Sequence, residues 1–151
     1  MTDDLDPIRR LRVLAAALPG VTLVECRIDA PFEAVWSIAG DLVESVPRFE
    51  KPITRVEITE RHDDRLKITV HLRRGPATTW NVLLRPGLCW MQSTRRGMLV
   101  GMAAVPRPDG GTDFAHAEGT RGSFGRLLAP VLRRKLRREI KTIERLAQGV
   151  S

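Results

Sequence analysis

The clearest pattern in the chain is a period of two. Leu66, Ile68, Val70 and Leu72 alternate with Lys67, Thr69, His71 and Arg73. Successive side chains of a strand point to opposite faces, so this is a half-buried strand. Val56 and Ile58 alternate in the same way before it, and Thr78, Trp80, Val82 and Leu84 after it. Gly75-Pro76 and Pro86-Gly87 are turns between strands, and Leu88 to Thr94 follows as the next strand. Met98 to Val105 is apolar at both parities, which predicts cover on both faces. Asp109-Gly110-Gly111 is a hairpin signal, and Thr112 to Thr120 returns as the last strand.

The period differs at the two ends of the chain. Residues 6–18 read as a short amphipathic helix stopped by Pro19-Gly20, and Val21 to Asp29 as a first strand. Pro31 suits a first helical position, and Phe32, Val35, Trp36 and Ala39 follow at helical spacing. After Gly40-Asp41, a second short helix is expected over Leu42 to Val46, ending before Pro47. From Ser123, the residues Leu128, Leu132, Leu136, Ile140, Ile143 and Ala147 form one apolar stripe, with Pro130 starting or kinking the helix.

Seven strands with tight turns between the last six give antiparallel neighbours. One curved antiparallel sheet with an apolar face and one amphipathic helix can bury each other, which predicts an α+β helix-grip domain. A curled sheet around a straight helix leaves room where the surfaces diverge, and an apolar cavity is expected there. Residues 1–20 are read as a helical extension and 21–148 as the domain proper.

Charge changes this picture only locally. The formal charge is +7, yet residues 1–120 hold 16 basic and 16 acidic side chains. Residues 121–151 hold 9 basic and 2 acidic ones, so the excess lies on the last helix. Its basic face is read first as solvated, then as a site for an acidic protein or an anionic membrane surface. Nucleic acid is not expected, because no aromatic residues interleave with the charges. No run reaches the roughly 18–20 apolar residues of a membrane span. The acidic opening Met-Thr-Asp-Asp does not suit a secretory leader. Cys26 and Cys89 read as free thiols of a cytoplasmic protein.

Candidate chemistry is sparse. Trp36, Trp80 and Trp90, with Met98 and Met102, either wall a cavity or fill the core. Phe114, His116 and Glu118 lie two apart on the last strand and so share a face. His116 and Glu118 are the weak candidates for a general acid/base pair, with Gln92 as a further polar group; orienting a ligand and plain structural pairing are the other readings. His62, His71 and His116 are scattered over different elements, so no metal is expected. No cofactor motif or nucleophile elbow is present.

Several segments, in order, resemble the START-like superfamily, also known as Bet v 1-like, SRPBCC, or polyketide cyclase/dehydrase and lipid transport. Ile28-Asp29-Ala30-Pro31-Phe32-Glu33-Ala34-Val35-Trp36 is similar to the entry into its first helix, and Gly40-Asp41-Leu42 to its helix junction. Asp109-Gly110-Gly111-Thr112-Asp113-Phe114 resembles its final hairpin, and Leu127-Leu128-Ala129-Pro130-Val131-Leu132 the approach to its basic last helix. The resemblance spans residues 21–147. It implies binding or carriage of a small hydrophobic molecule such as a lipid or polyketide. The expected lining is Trp36, Phe49, Trp80, Trp90, Met98, Met102, Phe114, His116, Leu128 and Leu132, with Phe49 at the mouth. The alternative is an aromatase/cyclase-type enzyme using the same cavity. A third reading is an interaction subunit whose cavity has collapsed. Fold alone does not decide among them.

Overall fold

A computed structural model describes residues 5–149. The elements run α1 (Pro7–Ala16), β1 (Val21–Ile28), α2 (Phe32–Ala39), α3 (Val46–Phe49), then β2 (Ile53–His62), β3 (Arg65–Leu72), β4 (Thr78–Arg85), β5 (Leu88–Ser93), β6 (Met98–Pro106) and β7 (Thr112–Thr120). A 3-10 segment, Ser123–Leu128, leads into α4 (Ala129–Ala147). The seven strands form one sheet in the order β1-β7-β6-β5-β4-β3-β2, with every neighbouring pair antiparallel. This is the helix-grip α+β arrangement expected from the pattern.

The concave face grips α4. Leu136, Ile140 and Ile143 of the apolar stripe are buried there with Ile28, Val35 and Phe114. The far end of α4 is tied to the end of β1. The Asp29 N–H donates to Glu144 Oε2 at 2.9 Å, and Gln148 Nε2 donates to the Asp29 carbonyl at 2.9 Å. Pro130 stands in the first turn of α4, where its missing N–H leaves no bond unmade.

The convex face carries a second core. α1 lays Ile8, Leu11 and Ala15 over Leu88, Trp90, Leu99, Ala103, Ala115 and Ala117. This explains why β6 is apolar at both parities. The approach is close: a Cβ on Gly101 would stand 2.5 Å from Leu11 Cδ1 and 2.9 Å from the Trp90 ring. Trp90 lies opposite Gly101 in the register and covers the space a side chain would take.

One helix boundary differs from the expectation. The second short helix covers Val46–Phe49, and residues 42–45 form a turn. Asp41 holds that turn by accepting the Glu44 N–H at 3.2 Å. Pro47 therefore stands in the first turn of α3, as Pro130 does in α4, instead of following the helix.

Candidate functional site

Between the concave face, α3 and α4 lies a cavity of about 240 Å³. Most of its wall is apolar. Val70 and Leu72 come from β3, Trp80 from β4, Met91 from β5, Met98, Val100 and Met102 from β6, and Leu42, Val46 and Phe49 from the segment around α3. Trp80 turns its Nε1–H onto Thr78 Oγ1 at 2.9 Å, so the indole presents an apolar flank.

The β7 side of the cavity is different in kind. His116, Glu118, Glu50 and Lys135 line it, and Glu139 stands directly behind. All but Lys135 are buried. The Lys135 Nζ contacts Glu118 Oε2 at 2.6 Å, Glu139 Oε1 at 3.1 Å and Glu50 Oε2 at 3.3 Å. His116 Nδ1 donates to the Gly101 carbonyl at 3.0 Å, and Nε2 meets Glu139 Oε2 at 2.7 Å. Both ring nitrogens thus face acceptors, which suits the imidazolium.

The electrostatics follow from this crowding. Burial by itself lowers the pKa of His116, but the Glu139 hydrogen bond and the charges of Glu139 and Glu50 outweigh it and hold it above the usual value. Burial likewise opposes the Lys135 charge, and the three surrounding carboxylates overcome it and raise its pKa. Burial pushes Glu139 up, yet bonding to His116 and the Lys135 charge bring it below the ordinary carboxylate range. For Glu50 the compensation is incomplete. Burial, then repulsion from Glu139, pushes it up to about 7 despite Lys135. Glu50 is thus the carboxylate of the cluster whose affinity for a proton is raised. Among the described residues no buried side-chain nitrogen or oxygen lacks a hydrogen-bond partner.

Glu50, His116 and Glu139 bring donor atoms within 4.8 Å of one another, a spacing a cation could bridge. The histidine count hid this grouping, because two of its members are glutamates. Lys135 already supplies the positive charge at that point.

Of the residues singled out from the sequence, Phe49, Trp80, Met98, Met102, His116 and Glu118 come together around the cavity. The others sit elsewhere. Trp80 pairs with Ser93 and Leu83 with Trp90, which puts the two tryptophans on opposite faces; Trp90 belongs to the convex core. Gln92 shares the Trp90 parity and accepts from Arg121 Nη2 at 2.7 Å, away from the cavity. Trp36 stacks on Phe32 at the edge of the concave core, with ring centroids 6.4 Å apart. Phe114 has the expected facing but is packed solidly beyond the cavity end. Leu132 is half-buried and Leu128 exposed, and Leu128 ends the 3-10 segment that precedes α4. Glu50, Lys135 and Glu139 were missed. A signal existed for Glu139: it lies three residues after Leu136 and four before Ile143, inside the apolar stripe.

Cys26 and Cys89 are both free thiols, and burial pushes Cys89 up to about 12. Among the described residues no helix is long and apolar enough to cross a membrane.

No family model matches the chain, and no curated protein sequence matches it. Solved structures share its fold. The Zhui aromatase/cyclase from a Streptomyces species superposes with a TM-score of 0.63 at 19% identity, over 85% of this chain and 93% of that one. The di-domain aromatase/cyclase StfQ of steffimycin biosynthesis gives 0.63 at 12% identity, over 93% of this chain and 54% of StfQ. Protein NE0264 of Nitrosomonas europaea gives 0.65 at 14% identity, over 89% and 96%. At these identities the likeness is one of fold alone: the helix-grip arrangement of a curved antiparallel sheet around a long last helix.

Proposed function

We propose that this domain binds a compact, mainly apolar molecule bearing one hydrogen-bonding group. The observation that carries the reading is the asymmetry of the cavity. One side is apolar and aromatic, and the other is a buried ionic cluster. Ligand sites have this composition: apolar walls with a few fixed polar groups. The volume, about 240 Å³, is below the roughly 300–1,000 Å³ of drug-sized sites and favours a ligand of one or two rings or a short acyl chain. The apolar body would lie against Trp80 and Val70, and the polar group would meet Lys135 and Glu118. The two free thiols support residence in a reducing cytoplasm.

Native mass spectrometry of the freshly purified protein tests this. A small-molecule adduct, lost on denaturation and absent in the cavity-filling variant Val70→Trp, is the expected result. An adduct-free mass, together with no binding of added 1-naphthol by calorimetry, contradicts it.

A second reading is supported by the geometry of the cavity wall, where His116 and Glu50, both with raised pKa values, stand side by side with Lys135. An imidazolium and a glutamic acid could assist enolisation and carbonyl protonation in an intramolecular aldol closure, in which a carbon–carbon bond forms and water is then lost. Aromatase/cyclases among the fold neighbours agree with it. Cyclisation of a short poly-β-ketone by the wild type, abolished in His116→Gln with binding retained, supports this reading. Binding without turnover leaves carriage alone.

A further inference from the structure

We infer that the 3-10 segment and the first turns of α4 form a docking face for an anionic lipid bilayer. Phe124, Leu127, Leu128 and Val131 are 71%, 75%, 48% and 68% exposed, four large apolar side chains within eight residues. A single exposed apolar residue needs no account, whereas a cluster of this kind does. Leu127 and Val131 are one helical turn apart, and Phe124 precedes Leu127 by three residues. Among the described residues none of the four belongs to either buried core, and α4 meets the sheet through Leu136, Ile140 and Ile143 instead.

The surroundings of the cluster identify the partner's chemistry. Between residues 121 and 138 there are seven basic side chains and no acidic one. Arg133, Arg134, Arg137, Arg138 and Lys141 line a surface groove beside Pro130. None of these five has an ion-pair partner among the described residues. Apolar side chains flanked by unpaired arginines match the boundary between acyl chains and phosphate headgroups. An acidic protein surface would satisfy the arginines but not the exposed phenylalanine and leucines that precede them in the chain.

The face also adjoins the cavity. Val131 and Lys135 share a second groove with Phe49 and Pro52, and the last three also line the cavity. A bilayer engaged by the patch therefore stands beside the entry an apolar ligand would use. The docking inference does not depend on that ligand being found, and the two fail separately.

Sedimentation of the full chain with vesicles tests it. Vesicles of two parts phosphatidylcholine to one part phosphatidylglycerol should carry down the protein at low salt, and pure phosphatidylcholine should not. Phe124→Ser combined with Leu127→Ser should lower the partition about tenfold or more without changing the far-ultraviolet spectrum, since both side chains are exposed. Arg133→Glu with Arg137→Glu should lower it similarly and flatten its dependence on salt. No partition onto the anionic vesicles overturns the inference. Partition unaffected by the Phe124/Leu127 variant does so as well, since charge alone would then account for it. A wild-type dimer that the same variant makes monomeric assigns the patch to a second copy instead.

Discussion

The two faces of the sheet are built from the same strands and do opposite things. On β7 the odd positions Ala115 and Ala117 point to the convex side, and their small size lets α1 approach closely. The even positions Phe114, His116 and Glu118 point to the concave side, where a cavity and an ionic cluster stand between sheet and helix. The convex face is dry and tightly filled, with Gly101 leaving room for Leu11 and Trp90. The concave face contains buried charges that stabilise only while they remain matched. A core without charge has a stability indifferent to pH, whereas a buried cluster ties stability to the protonation of each member.

Substitutions on each face should separate these behaviours. The largest effect is expected from Trp90→Ala, which empties the convex core and should cost about 3–5 kcal/mol, equally at pH 5 and pH 8. Chemical denaturation at the two pH values measures it, and a pH-dependent loss would mean that the faces are coupled. Lys135→Met leaves Glu50, Glu118 and Glu139 without their shared cation. It should cost about 3 kcal/mol at pH 8 and clearly less at pH 5, where carboxylates can take up protons. Equal losses at both pH values would show that the cluster is not held by that charge.

Glu50 gives a prediction of opposite sign. Its folded pKa, about 7, lies above that of an unfolded glutamate, so the folded state binds more protons between those two values. Stability from this group is therefore present at low pH and is lost as pH rises through about 7, by at most about 3 kcal/mol. Glu50→Gln removes that loss: the variant should be more stable than the wild type at pH 8 and nearly equal to it at pH 5. His116, whose pKa is also raised, adds stability that is full below the unfolded histidine value and falls at higher pH. Glu139 opposes both, since its lowered pKa gives stability that is lost on acidification. The smallest effect is expected from Trp80→Phe, below about 1.5 kcal/mol, because the side chain borders empty space and an aromatic ring is kept.

The same contrast decides what could be read from the sequence. Strand β3 has one buried and one partly exposed face, and its alternation gives both the strand and its facing. Strand β5 is buried on both sides through Leu88, Cys89, Trp90 and Met91. Alternation there carries no information on facing, so Trp90 could not be separated from Trp80 without the register. The cluster was hidden for another reason. Lys135 looks like one more charge on a basic helix, and Glu50 like part of a polar loop; only the third dimension brings them to His116. The exposed Leu128 looked like the start of the apolar stripe because the pattern does not reveal where the 3-10 segment hands over to α4.

On the proposed reading, the concave face receives a ligand while the convex face is only structural. The indole N–H resonances of the three tryptophans report on both faces at once during a titration with 1-naphthol. The Trp80 signal should shift progressively and saturate, while that of Trp90, beneath α1, stays in place. A shift of Trp90 without Trp80, or a saturating concentration that moves neither, would contradict the account.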